Sequence, residues 1–183
     1  MRAQRLDLDV KIRSRVKKII AATLALTLLG LAPASAHQPV VLLNSDTTPS
    51  AGPLLVDGTV SFAIRAAFTK AGQKKAFRAA LKEGDQLDVQ YLIVDKRPEN
   101  RLKNSQLPLL VITSPSGKRI VMKYTERTEF YEPWGRTTYL YLSRISEVAE
   151  PGIYSFVATS RTKAEITIAV GEKEIPGEVL RGQ

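Results

Sequence analysis

The sequence predicts an all-β protein, an antiparallel β-sandwich of jelly-roll type with about eight to nine strands, behind a helical signal segment that is cleaved. Three observations predict it. Apolar and polar residues mostly alternate from residue 58 onward, the period-2 pattern of strands with one buried face. Gly and Pro turns break that alternation at short intervals, which suits many short strands. The first 36 residues join a basic stretch to a short apolar run and a small-residue triplet, the layout of a secretory signal peptide.

In that leading segment Arg2, Arg5, Lys11, Arg13, Arg15, Lys17 and Lys18 stand against Asp7 and Asp9, followed by "IIAATLALTLLGLA" and then Ala34, Ser35 and Ala36. At a helical rise of about 1.5 Å per residue, the apolar run falls short of the roughly 30 Å hydrocarbon core. Cleavage is expected after Ala36, and the absence of an Arg-Arg pair points to the general export route. Residues 37–183 then hold 20 basic and 16 acidic side chains, so the formal charge falls from +9 to +4. The high charge of the whole chain is therefore largely a targeting feature, and nucleic acid is not an expected partner.

The chain has no cysteine, which excludes disulfides, a thiolate metal site and a lipid-modified cysteine. No second apolar stretch is long enough to span a bilayer, so the expected location is secreted, or in the cell envelope or periplasm. The expected organisation is a signal peptide at 1–36, an N-terminal edge segment at 37–56, a sandwich domain at 57–171 and a tail at 172–183.

The elements follow in order. "LNSDTTPSAGP" at 43–53 is turn-rich and wraps the domain edge. In "TVSFAIRAAF" Val60, Phe62, Ile64 and Ala66 share one face. "KKAFRAALK" at 74–82 reads as a strand burying Phe77, Ala79 and Leu81, or as a helix burying Phe77, Ala80 and Leu81; its length between close turns favours the strand. "QLDVQYLIV" aligns Leu87, Val89, Tyr91 and Ile93. The polar "DKRPENRLKNSQ" at 95–106 is a surface loop. Two β-rich runs joined at Ser114-Pro115-Ser116-Gly117 come next, then "TTYLYLSRI", "GIYSFVAT" and "AEITIAV".

The pieces "DGTVSFAI", "EGDQLDVQYLIV", "LLVITSPSGKRIV" and "EPGIYSFVATS" occur in an order that resembles the bacterial pre-peptidase C-terminal type of β-sandwich, and more loosely the Golgi-dynamics type domain. The resemblance implies a non-catalytic accessory or binding fold of secreted proteins. Such modules accompany a catalytic domain, and this sequence shows none.

Candidate sites are few. In "TEFYEPWGRTTYLYL" Phe130, Tyr131, Trp134, Tyr139 and Tyr141 collect aromatic area. With Leu140 and Leu142 in the core, Tyr139 and Tyr141 form an exposed pair beside the Trp134 loop, on which a sugar ring or a partner can stack. Tyrosine is equally a strand former, and Trp134 can simply cap the sandwich edge. Lys96, Arg97, Arg101 and Lys103, with Glu99, make the long loop cationic, and Lys118, Arg119 and Lys123 add charge on a second hairpin, a pattern that attracts an anionic envelope polymer or lipid headgroup.

His37 is the chain's one histidine and becomes the amino-terminal residue after the expected cleavage. An amino-terminal histidine chelates copper(II) through its amine and ring, and "AHQPVVLLNSDTTPSAG" resembles the start of periplasmic copper-binding sandwiches. No second histidine is present to complete such a site. Asp46 and Asp57 are candidate calcium ligands without a D-x-D-x-D-G loop. Glu126, Glu129 and Glu132 are candidates for a glycosidase carboxylate pair, but their even spacing in a charged, loop-like stretch reads as solvated surface. Neither a Ser-His-Asp nor a Cys-His arrangement is available. The expected function is an exported, non-catalytic binding or structural module without a cofactor, whose partner is an envelope polymer, a carbohydrate or another exported protein; the alternative is a copper protein built on His37.

Overall fold

The computed structural model describes residues 37–181; the expected signal segment and its cleavage point lie outside the described residues. The chain forms β1 (Gln38–Val41), β2 (Leu54–Leu55), β3 (Phe62–Phe68), β4 (Lys74–Leu81), β5 (Gln86–Val94) and, after a 3-10 turn at Glu99–Arg101, β6 (Leu109–Thr113). It continues through β7 (Arg119–Val121), β8 (Thr128–Glu132), β9 (Thr137–Val148), β10 (Gly152–Thr159), β11 (Ala164–Val170) and β12 (Val179–Leu180). The strands make two six-stranded sheets, ordered β1-β3-β11-β5-β9-β8 and β12-β2-β4-β10-β6-β7.

Among the described residues the fold is thus an all-β sandwich of twelve strands, which corrects the expected all-antiparallel set of about eight to nine. The difference lies at the edges. β1 runs parallel to β3 and β2 parallel to β4, both supplied by residues 37–56, expected only as an edge segment, on either side of the turn-rich stretch at 43–53. β12 comes from the tail and pairs with β2. Strands this short carry no readable alternation, because period 2 needs several residues to show.

The longer strands behave as their alternation predicts. Phe62, Ile64, Leu87, Val89, Tyr91 and Ile93 from the first sheet, and Leu110, Ile112 and Phe156 from the second, are buried between the layers. β4 is a strand: Phe77, Ala79 and Leu81 are buried and Ala80 only partly, the pattern of period 2. Phe77 and Phe156 face each other across β4 and β10 and stack with centroids 4.4 Å apart. At the edge of this core the Tyr91 hydroxyl donates to the Pro108 carbonyl at 2.9 Å, and the Tyr124 hydroxyl donates to the same oxygen.

Two polar anchors close the sandwich. Asp46, 2% exposed, accepts hydrogen bonds from the Leu43 amide and the Arg181 guanidinium, tying the first loop to the C-terminal tail. Buried Lys75 donates to the Leu42 carbonyl at 2.7 Å and reaches Asn44 at 3.3 Å. Burial pulls the Lys75 ammonium below its usual range, with the Asp46 charge acting in the opposite sense.

Strand β9 departs from strict alternation at one point. Tyr91 pairs with Ser143, but Leu92 pairs with Tyr141, so Leu142 has no partner across β5. This is a β-bulge, and it turns two successive side chains, Leu142 and Ser143, toward the interior. The phase of the strand therefore shifts. Ile145 packs against the core, whereas Arg144 is exposed.

An aromatic and cationic candidate site on the outer sheet face

Side chains of directly opposed residues in an antiparallel pair lie on the same face. Phe130 is opposed to Tyr139 and Thr128 to Tyr141, which puts Phe130, Tyr139 and Tyr141 together on the outer face of the first sheet. The Phe130 and Tyr141 rings contact at 5.3 Å between centroids, and the Arg144 guanidinium carbon lies 4.9 Å from the Tyr141 centroid. Arg144 is held there by Glu126, through Nε to Oε1 at 2.9 Å and an Nη to Oε2 at 2.7 Å. Glu126 also accepts from Thr128.

The electrostatics follow this wiring. Hydrogen bonds from Arg144, then Thr128, hold the Glu126 carboxyl below its usual value. Burial pushes the Tyr141 phenol up, with Arg144 pulling it back. Beside Tyr141 in the same row, Leu92 is only 5% exposed although it points away from the inter-sheet core. The result is a ring surface with an apolar floor, a cation and a carboxylate, a combination that can stack a flat apolar face while hydrogen-bonding its polar rim.

Tyr131 does not belong to this group. It is opposed to Thr138 and so shares a face with Glu129 and Leu140, one residue out of phase with the two tyrosines. Its 57% exposure places it at the margin of the edge strand. Trp134, 70% exposed, sits in the turn between β8 and β9. Glu132 shapes that turn, accepting the Trp134 and Gly135 amides at 2.7 and 2.5 Å. Sequence reasoning missed Arg144 as a member of the site. The available signal was an arginine where unbroken alternation from Leu140 and Leu142 would require a core residue.

The three acids weighed as a hydrolytic pair do not converge. Glu126 is paired with Arg144, Glu132 caps a turn, and Glu129 points to the opposite face. Asp46 and Asp57 are also apart: the Asp46 carbonyl accepts from Ala76 near the start of β4, while Asp57 lies next to Gly58, which donates to Ala80 near its end. Asp57 is occupied by the Thr59 amide and hydroxyl, and these bonds hold its carboxyl low. Among the described residues no group of three His, Cys, Asp or Glu side chains could hold a metal ion.

His37 is partly buried, and its Nδ1 contacts the Ser61 hydroxyl. Burial lowers its pKa, opposed by the charges of Glu174 and Glu132. Glu132 is on edge strand β8 and His37 precedes the opposite edge strand β1. The donor set of one imidazole and no thiol, with Glu132 already accepting two backbone amides, does not fit a copper centre.

Lys96, Arg97, Arg101 and Lys103 are all exposed on the loop after β5, around the 3-10 turn. That loop is clamped by Arg127, which donates to the Asn100 and Leu102 carbonyls. Lys118 and Arg119 do not join it. They lie beyond the far end of β6, where Lys118 is 3.7 Å from Glu147. No helix among the described residues is long and apolar enough to cross a membrane.

The chain matches no protein-family profile and no curated protein. Among solved structures it is similar to the pre-peptidase C-terminal domain of a collagenase from Bacillus anthracis, at 8% identity over 74% of this chain and 92% of that one, with a TM-score of 0.37. It is also similar to a family GH115 4-O-methyl-alpha-glucuronidase, at 12% identity over 84% of this chain but only 19% of the enzyme, with a TM-score of 0.36. A third is a surface-associated copper-binding protein of Methylomicrobium album BG8, at 11% identity over 70% of this chain and 99% of that one, with a TM-score of 0.29. The similarity to the pre-peptidase C-terminal fold is weak and at the level of architecture.

Proposed function

We propose that this chain is an exported, non-catalytic binding module of jelly-roll type, cleaved after Ala36, that engages a carbohydrate of the cell envelope or its surroundings through the outer face of its first sheet. The observation that carries the reading is the Phe130, Tyr141 and Arg144 cluster. Two rings and a carboxylate-held guanidinium on one sheet face offer a platform for the C–H face of a sugar, with donors for its hydroxyls. Tyr139 extends the platform, and Tyr131 and Trp134 form its margin at the hairpin. The scattered carboxylates and the lack of cysteine favour binding over catalysis.

The experiment is a binding screen of the processed protein against soluble envelope and plant-type glycans, followed by the fluorescence of Trp134, the only tryptophan in the chain. Saturable binding that shifts Trp134 emission and is lost in Tyr139→Ala and Tyr141→Ala supports the reading. Binding that survives both substitutions overturns the assignment of this face.

A further inference from the structure

The two ends of the sandwich carry opposite charge, a property that the mild net charge hides. At one end four loops are hydrogen-bonded together: Gly72 donates to Ser160, Thr162 to Gln106, Asn104 to Tyr124, and Arg127 to Asn100. These loops, residues 69–73, 95–108, 122–127 and 160–163, hold nine Lys and Arg side chains against three acids. All nine cations are exposed. One of the three acids, Glu126, is neutralised by Arg144.

The opposite end joins residues 57–61, 82–85, 149–151 and 171–178 through Gly171 to Asp88, Glu172 and Lys173 to Thr59, and Ala149 to Asp85. With residues 114–118 beside them, these segments carry seven acids against three lysines. Folding therefore separates charges that alternate along the chain.

The basic end also has a recess of about 320 Å³ lined by Asn44, Thr47, Gly72, Gln73, Lys74 and Lys75. None of the large apolar side chains that are exposed in the protein lies on the four basic loops. The four loops themselves therefore offer nothing to insert below lipid headgroups or to stack on nucleic-acid bases; the exposed Trp134 stands apart from them, on the β8–β9 hairpin that leaves the sheet beside Asp95. A recess big enough for one charged sugar, with Lys74 and Lys75 of β4 in its lining and further cations on the loops of the same end, matches a chain bearing spaced carboxylates.

We propose that the basic end binds a linear acidic polysaccharide, one charged residue seated in the Lys74 and Lys75 recess and its neighbours on the surrounding loops. This surface meets the aromatic face at Glu126, which Arg144 holds, but none of its nine cations belongs to that face. The test measures binding of the processed protein to polygalacturonate, with neutral dextran, phosphatidylglycerol vesicles and duplex DNA as separate arms. Two triple variants compare position at equal net charge: Lys96→Glu, Arg101→Glu, Lys103→Glu at the basic end, and Lys82→Glu, Arg119→Glu, Lys173→Glu away from it, both checked for native melting.

Polygalacturonate binding is expected to weaken about tenfold or more in the first triple and to change little in the second. It is also expected to fall steeply between about 50 and 200 mM salt. Equal loss in both triples, no binding to polygalacturonate, or tighter binding to vesicles or DNA at equal charge concentration overturns the proposal. Tyr141→Ala leaves this binding intact, so failure of the aromatic-face reading is read separately.

Discussion

Arg144 stands over the ring of Tyr141, three residues earlier in the same strand, with its guanidinium carbon 4.9 Å from the ring centroid. Residues three apart in a regular strand point to opposite faces. They meet here because the bulge at Leu142 adds one residue to β9 without adding one to β5. The bulge thus builds the candidate site.

Phe130 and Tyr141 are expected to be energetically coupled. In a double-mutant cycle of Phe130→Ala and Tyr141→Ala, chemical denaturation should return an interaction of about 0.5–1.5 kcal/mol, the range for contacting aromatic pairs. A coupling indistinguishable from zero would mean that the rings merely lie near each other.

Alkaline stability is expected to depend on Tyr91. Burial first, and then Tyr124, raise its phenol well above the ordinary 10.0. The folded state keeps this proton while the unfolded chain loses it, so the contribution is complete below pH 10.0 and lost as pH rises toward the folded value. Tyr91→Phe should cost about 1 kcal/mol at neutral pH, for the lost bond to Pro108. Its stability should also decline less than the parent's above pH 10, with Tyr124, Tyr141 and Tyr154, all raised by burial, contributing to the remaining slope. Denaturation midpoints between pH 8 and 11 check this; parallel declines would refute it.

Gly171 is expected to be irreplaceable. Its φ is +71°, and a Cβ would lie 2.3 Å from the Val60 carbonyl oxygen and 2.6 Å from Thr59 backbone atoms. Neither contact can relax by a side-chain rotation, so Gly171→Ala should cost more than about 3 kcal/mol. Gly84 has φ +82° but open space around it, and Gly84→Ala should cost only about 1–2 kcal/mol. Thermal melts of the two variants separate strain from collision.

Copper(II) titration of the processed protein, with its amino terminus confirmed by mass, should show weak binding that is equal in His37→Ala. The chain has no second histidine, and His37 Nδ1, the ring nitrogen nearest the backbone, is turned to Ser61. Tight one-to-one binding lost in the variant would instead make His37 the centre of function.

Alternation was enough to read the long strands. Val60 to Ala66, Leu87 to Ile93 and the strand at Phe77 were legible because burial on one side of a pleated chain imposes a period of two on local sequence. That Tyr139 and Tyr141 share a face was legible for the same reason, although both are half-buried and not the exposed pair expected. Phe130 rather than Tyr131 as their neighbour was not, since the choice rests on the register of β8 against β9, a contact between separate segments.

By itself, then, the sequence determined that the chain is β-rich, which side of each long strand is buried, and that no thiol chemistry is present. Tertiary structure alone decided the parallel edge strands, the bulge that turns Arg144 outward, and the gathering of Lys70, Arg101, Lys123 and Arg161 from four loops onto one end. The physical reason is that side-chain direction along a strand is local, whereas register, bulges and charge clustering depend on which distant segments meet.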